Sequence, residues 1–564
     1  MTQLISSIDR GSQDTPLIEQ TIDQFFDSMV NQVPDNEALV SRHQNIRLSY
    51  RQLQRQAKQL ASAFLKLGIQ RGDRIGIWSH NNAEWLLTQL ATAYTGIVLV
   101  NINPAYRLSE LEYALNKVGC KALIAMPSYK SSDYLEMIRT LAPELQHCTP
   151  GSLQAARLPQ LQAVIQLGTQ PVAGMLRFDD LMASGDADDA QLTQLAASLS
   201  ANDPINIQFT SGTTGFPKGA TLTHRNILNN GFFIGEAMRL TAQDKLCIPV
   251  PLYHCFGMVL GNLACLTHGA TIVYPNDGFE PLSILQAVQE ERCTGLHGVP
   301  TMFIAELDHP RFAEFDLSSL RTGIMAGSPC PIEVMKRVVR DMHLEQITIA
   351  YGMTETSPVS CQSMTDTPLD KRVSTVGRVH PHLQVKIVDA DSGQIVPIGS
   401  TGELCTHGYS VMHGYWGDEE KTREAIDADG WMHTGDLATM DGEGYVNIVG
   451  RIKDLVIRGG ENIYPREIEE FLYRHPAIQD VQVVGVPDPK YGEELCAWII
   501  LRPGQTLNDE ALREFCKGQI AHYKVPRYIR FVDAFPMTVT GKIQKFKIRE
   551  AMQKELKLSD IHTA

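Results

Sequence analysis

Residues 205–219 read Ile-Asn-Ile-Gln-Phe-Thr-Ser-Gly-Thr-Thr-Gly-Phe-Pro-Lys-Gly. An apolar, strand-like run over 205–209 ends in a loop carrying Gly212 and Gly215, the hydroxyls of Thr210, Ser211, Thr213 and Thr214, and the charge of Lys218. Glycines let the backbone fold close to a ligand and turn its amides inward, so the loop holds the ingredients of a polyphosphate cradle. A plain surface turn needs neither four hydroxyls nor a lysine directly after a buried strand. It is not a Walker loop, which requires glycine where Pro217 stands and a hydroxyl where Gly219 stands.

Outward from this loop, strand-like and helix-like stretches alternate. Helical periodicity covers 21–30, 50–67 and 82–95, and short apolar runs fall at 38–40, 74–78, 96–100, 121–126, 162–166, 271–274, 295–298 and 346–350. That alternation predicts α/β architecture built from parallel βαβ units with helices on both faces. Beyond about residue 375 the strand-like pieces (383–388, 402–406, 444–449) become short and turn-rich, which predicts a small antiparallel, β-barrel-like lobe. A joint is expected at 450–454, followed by a compact α+β unit with helices at 467–474 and 508–519 and strands at 480–486 and 494–501. The expected division is a multi-lobed body over residues 1–452 and a small mobile cap over 453–564.

Composition narrows the function. The 564 residues carry 50 Lys and Arg against 64 Asp and Glu, a formal charge of −14, which argues against nucleic acid as a partner. The 11 cysteines are odd in number and form no Cys-x-x-Cys pair, so a reducing, cytoplasmic setting fits better than a disulfide framework or a zinc finger. The first 20 residues lack the apolar core of a secretory signal. Residues 246–274 contain no Asp, Glu, Lys or Arg, but Pro249, Pro251, Gly257 and Gly261 break the run, so buried core is expected there and not a transmembrane segment.

Further motifs follow the loop in order: Tyr351-Gly-Met-Thr-Glu355, Trp431-Met-His-Thr-Gly-Asp436, Gly450-Arg451 through Arg458-Gly-Gly-Glu-Asn-Ile463, and Pro536 to Thr540-Gly-Lys542. With the loop, this set resembles the adenylate-forming superfamily: acyl-CoA synthetases, peptide synthetase adenylation domains and beetle luciferases. Joining a carboxylate to the α-phosphate of ATP brings two anions together, so such a site needs cations, donors and a metal more than a general base. The resemblance implies ATP contacts from Thr210, Ser211, Gly212, Thr213, Thr214, Gly215, Lys218, Gly327, Ser328, Tyr351, Thr354, Asp436, Arg451 and Lys542. Glu355 would hold Mg²⁺, Asp436 the ribose hydroxyls, and Tyr351 would offer its ring to adenine. It also implies that Lys542 bridges carboxylate and α-phosphate, although the residues alone do not select Lys542 over Lys545. The cap would turn about Lys453, where the family carries Asp or Lys, bringing Arg458, Gly459 and Gly460 to a channel for coenzyme A.

Pro251-Leu-Tyr-His-Cys-Phe-Gly257 lies in the uncharged stretch, and the family places it at the acyl pocket with His254 orienting the carboxylate. A substrate ammonium buried there would find no acidic partner, so a carboxylic acid without one is expected. Gly257, Val299, Met302 and Gly323 are expected to line the pocket, the glycines leaving room for an aliphatic chain. The wording around 206–224 is most similar to the medium-chain acyl-CoA synthetase branch. The expected activity is ATP- and Mg²⁺-dependent conversion of a fatty acid and coenzyme A to acyl-CoA, AMP and pyrophosphate, with His254, Thr354, Glu355 and Lys542 as catalytic residues. The alternatives are an acyl- or aryl-AMP ligase serving another thiol or carrier protein, and a degenerate nucleotide- or lipid-binding protein. The expected state is a monomer or homodimer, with peripheral membrane contact through the basic stretch 541–558 kept open.

Overall fold

A computed structural model describes residues 4–210, 217–328, 330–459, 461–538 and 541–556. Two large, mainly parallel sheets form the body. The first runs Leu176–Arg177, Ala163–Gln166, Cys120–Ala125, Arg74–Trp78, Val98–Asn101 and Pro204–Thr210, all parallel. Lys218–Thr223 and Gly414–Tyr415 then continue it antiparallel. In the second, Gln346–Gly352, Thr322–Ala326, Gly295–Gly298, Lys245–Cys247, Thr271–Tyr274 and Glu37–Ser41 are parallel, with antiparallel edges.

Both faces of each sheet are covered, and strand alternation shows how. Leu99 enters the core between the two sheets, while its neighbours Val98 and Val100 enter a separate core under helices Leu108–Val118 and Tyr134–Leu141. Leu39 and Val40 divide in the same way between the central core and the core beneath helix Pro281–Glu291. Strands buried on both faces become unbroken apolar runs, which is why they stand out in the sequence. Helices Ile22–Gln32, Tyr50–Lys66, Ala83–Thr95 and His224–Met238 fill the space between the sheets. Ser49 caps the second of these, accepting from Gln52 N–H at 3.2 Å while the Gln52 side chain accepts from Ser49 N–H.

The barrel-like lobe is a five-stranded antiparallel sheet whose order is Ile8–Arg10, Leu383–Val388, Gly402–Gly408, Met432–Met440 and Val446–Arg451. Its first strand comes from the chain's beginning, some 375 residues from its partner. The end strands are not paired with each other among the described residues, so the lobe is an open sheet. The single turn Ile452–Asp454 then leads to the C-terminal unit. There Val456–Arg458, Gly492–Leu501 and Ile478–Asp488 pair antiparallel and Tyr528–Phe531 joins in parallel, over a core of its own. Among the described residues no helix is long and apolar enough to cross a membrane. Residues 246–274 form strand, loop and helix, entirely within the body.

Candidate active site

Parallel strands end together, and ligands in open α/β sheets gather at those carboxyl ends. Neighbouring strands of the second sheet deliver Val299 just after Gly295–Gly298, Gly327 after Thr322–Ala326, and Tyr351, Thr354 and Glu355 at or after the end of Gln346–Gly352. His254 follows Lys245–Cys247 on the same side. The first sheet contributes a hairpin in which Thr210 faces Lys218. Ser211, Gly212, Thr213, Thr214 and Gly215 lie outside the described residues.

Glu355 organises the base of this hairpin. It is 5% exposed, and its Oε1 accepts from Thr210 Oγ1 at 3.0 Å and from the Tyr415 hydroxyl at 2.9 Å. Lys218 Nζ in turn donates to the Tyr415 oxygen at 2.9 Å and stands 4.1 Å from the ring centroid. Tyr415 was not singled out in the sequence, and only the Gly414-Tyr-Trp416 aromatic pair hints at it. Glu355 makes no ion pair among the described residues, so although Lys542 feels its charge, a buried carboxylate oxygen at the base of the hairpin is left without a directly paired cation. That is the donor hard divalent ions take, and it fits Mg²⁺.

Asp436 lies opposite Arg451 in the antiparallel sheet. Its Oδ2 accepts from the Tyr351 hydroxyl at 2.6 Å and its Oδ1 from Arg451 Nε at 3.0 Å. Burial, then Asp436, push the Tyr351 phenol well above its ordinary range, so it stays a donor. Two carboxylate oxygens offer about four lone-pair sites, so two remain for a ligand's hydroxyls.

Lys542 enters from the C-terminal unit. Its Cε lies 3.8 Å from where a Cβ on Gly327 would stand. The preceding Gly541 (φ +76°) packs so closely on Val299 that an added Cβ would come within 3.0 Å of Cγ2. Burial and then Arg451 lower the Lys542 ammonium, against the pull of Cys255, Glu355 and Asp436. Burial and then Lys542 push His254 down to about 3, leaving the ring neutral at physiological pH. Phe256 N–H donates to His254 Nδ1 at 3.1 Å, which puts the ring proton on Nε2 and makes that atom a donor.

Beneath these groups runs a buried polar chain. Asn206 Nδ2 donates to Asn101 Oδ1 (2.9 Å), Gln208 Nε2 to Asn206 Oδ1 (2.9 Å), and the Cys255 thiol to Gln208 Oε1 (3.2 Å). Asn101 also donates to the Tyr253 carbonyl at 2.9 Å, tying the phosphate-loop strand to the segment that bears His254.

The expected reason for the acyl glycines does not hold. Glycine at 257 and 323 does not leave room: an added Cβ would lie 2.5 Å from the Pro251 carbonyl oxygen and 1.9 Å from that of Leu296. Gly231 and Gly235 let helix His224–Met238 touch Leu263 and the His268 ring. Phe232 stacks on His268 and Phe233 packs near Tyr409. Met302 is core. Residues Phe256–Leu263 form a π-helical stretch, a form that is common at functional sites and leaves no mark in periodicity.

Arg458 and Gly459 are not at this site. Arg458 pairs with Glu494 through two bonds (2.9 and 2.8 Å) and stacks on Tyr491, all within the C-terminal unit. Gly460 lies outside the described residues. Lys453 is exposed in the turn between the two units.

Known proteins carry the same plan. The putative acyl-CoA synthetase YngI of Bacillus subtilis (strain 168) is 51% identical over 535 residues, covering 95% of this chain and 97% of its own. The mitochondrial medium-chain acyl-CoA ligase ACSF2 of Mus musculus is 45% identical over 555 residues, covering 97% and 90%. The crystal structure of the anthranilate CoA ligase AuaEII in complex with anthranoyl-AMP superposes with a TM-score of 0.85 at 26% identity, over 97% of this chain and 99% of that one. The family model of the AMP-binding enzymes matches residues 26–416, and that of their C-terminal domain matches 467–542. A match over more than half the sequence, with the loop hairpin, Glu355, Asp436 and Lys542 gathered at the strand ends, makes this chain a member of the AMP-binding enzyme family.

Proposed function

We propose that the protein is an AMP-forming fatty acid–CoA ligase. Its carboxylic acid attacks the α-phosphate of ATP, and the acyl-adenylate then passes its acyl group to the thiol of coenzyme A. The observation that carries this reading is the insertion of Lys542 beside Gly327, within electrostatic reach of His254, Glu355 and Asp436. Lys542 bridges the two reacting anions, and His254 Nε2–H orients the incoming carboxylate. Asp436 takes the ribose, while Lys218 and the loop hydroxyls take the outer phosphates. Glu355 would hold Mg²⁺, which when bound supplies charge neutralisation for the departing pyrophosphate.

The acid is read as a medium-length aliphatic one, in keeping with the name of the ACSF2 relative and the uncharged stretch 246–274. Eleven unpaired thiols, ten of them buried, suit a reducing, cytoplasmic setting. A panel of C4 to C16 carboxylates, scored for pyrophosphate with and without CoA, tests the assignment. Octanoate-range acids are expected to give AMP and thioester, whereas CoA-independent turnover or an aryl preference would sink it.

We further read residues 1–452 as the body and 453–564 as a cap turning at Lys453, with Arg458, Gly459 and Gly460 serving the CoA step after rotation. What supports rotation is a small polar clasp. Asp308 of the body accepts from Arg337 (2.7 Å) and from the cap's Gln479 (3.0 Å), with Arg502 at 3.9 Å. Losing the Gln479 bond, a hydrogen bond to a charged group, is expected to slow adenylation about 10- to 100-fold in Asp308→Ala. Thioester formation from added acyl-adenylate should hold or quicken, and equal loss in both half-reactions would refute the clasp.

A further inference from the structure

Between Gly402–Gly408 and Met432–Met440 the ladder is interrupted. Glu403 faces Leu437 and Cys405 faces His433, so Leu404 alone stands against Thr434, Gly435 and Asp436. This bulge pushes Asp436 out of the ladder and toward Tyr351. Bulges at functional sites re-aim a side chain, and unpaired backbone must find other partners.

Here the partner is Glu403. Its Oε1 accepts from Gly435 N–H at 3.0 Å, and its Oε2 stands 2.9 Å from His433 Nδ1. Thr434 Oγ1 donates to the Leu404 carbonyl at 2.6 Å and accepts from Asp436 N–H at 3.2 Å. Gly435 has φ +70°, and a Cβ there would meet nothing within 4 Å, so backbone conformation and not space requires the glycine. On the far side, His433 Nε2 is 3.5 Å from Asp427 Oδ2, and Asp427 is fixed by the Trp431 and Asp429 amides. Lys386, stacked 4.3 Å from the Trp431 centroid, is the cation facing this group.

We propose that Glu403, clamped by His433, is a positioning residue for the nucleotide: its carboxylate holds the bulge that presents Asp436. The proposal rests on the reading that Asp436 binds the ribose. Glu403, Cys405 and His433 also lie close enough to share a metal ion, with donor atoms within 4.8 Å of one another. Against that use, both Glu403 oxygens already have partners, and the Cys405 thiol is pushed up to about 12 by burial and then by Glu403.

The test measures ATP and AMP binding to the full-length protein without carboxylate, together with KM values and thermal midpoints, for Glu403→Ala, Glu403→Gln, Cys405→Ser and Asp436→Ala. Glu403→Ala is expected to weaken nucleotide binding about 10- to 100-fold, the range for a hydrogen bond to a charged group, with the KM for the acid unchanged. Glu403→Gln, whose amide oxygen can still accept from Gly435, should recover most of the loss. Cys405→Ser should bind normally. Normal binding in Glu403→Ala, or a loss that merely follows the thermal midpoint, would overturn the proposal. So would a matching loss in Cys405→Ser accompanied by bound zinc in the wild type. Normal binding in Asp436→Ala would instead overturn the ribose reading, whatever the Glu403 variants do.

Discussion

Lys542→Ala is expected to lower acyl-adenylate formation about 10²- to 10³-fold, the cost of removing one preorganised electrostatic donor from a reacting centre. Conversion of supplied acyl-adenylate and CoA to thioester should stay near the wild-type rate, because in the proposed rotation that step uses the other face of the cap. The geometry supports so large an effect. The lysine is carried on a short turn in which Thr538 N–H donates to the Lys542 carbonyl at 2.8 Å and Lys542 N–H to Thr538 Oγ1 at 3.1 Å. Gly541 is pressed onto Val299, so the side chain arrives in one place. Single-turnover assays of the two half-reactions separate the outcomes, and equal loss in both would contradict the bridging role.

The same lysine sets a pH dependence with a defined sign. Burial and Arg451 hold its ammonium below the ordinary lysine range, and the reaction needs the charged form. Activity therefore falls as pH rises through the lowered value. In the free enzyme, reported by kcat/KM for ATP, the fall comes at lower pH than in kcat, because bound phosphates stabilise the ammonium in the complex. Coincident alkaline limbs would argue that another group titrates.

Legibility in the sequence followed locality. The parallel strands were readable because burial on both faces makes continuous apolar runs, and the helices because 3.6-residue periodicity survives packing. Ile8–Arg10 was not: three residues give no period, and their partners lie hundreds of positions away. Thr210, Lys218, Glu355 and Asp436 were legible because each sits within a local motif. Tyr415 and Glu403 escaped because each acts through a cross-strand partner. The reason for glycine at 257 and 323 was hidden for a related cause. A glycine leaves equal silence in the sequence whether its missing Cβ opens a cavity or lets a carbonyl approach, and at Gly257 and Gly323 it is the carbonyl.

Glu355→Gln is expected to cost adenylation more than about 100-fold, since losing even an outer-shell partner of a metal ligand typically costs about 10- to 100-fold. The amide substitution isolates charge from shape. Glutamine Oε1 can still accept from Thr210 Oγ1 and from Tyr415, so the hairpin base and Lys218 keep their partners and the thermal midpoint should not move. What disappears is the negative charge at the base of the hairpin. Glu355→Ala would confound the two effects, because it leaves the part-buried Thr210 and buried Tyr415 hydroxyls without that acceptor. Rate measured against Mg²⁺ concentration is the deciding experiment. Half-saturation should move to higher Mg²⁺ in Glu355→Gln, with part of the rate recovered at high concentration. A wild-type rate with an unchanged Mg²⁺ curve would mean that Glu355 only braces the hairpin, and that the metal's oxygen ligand lies elsewhere.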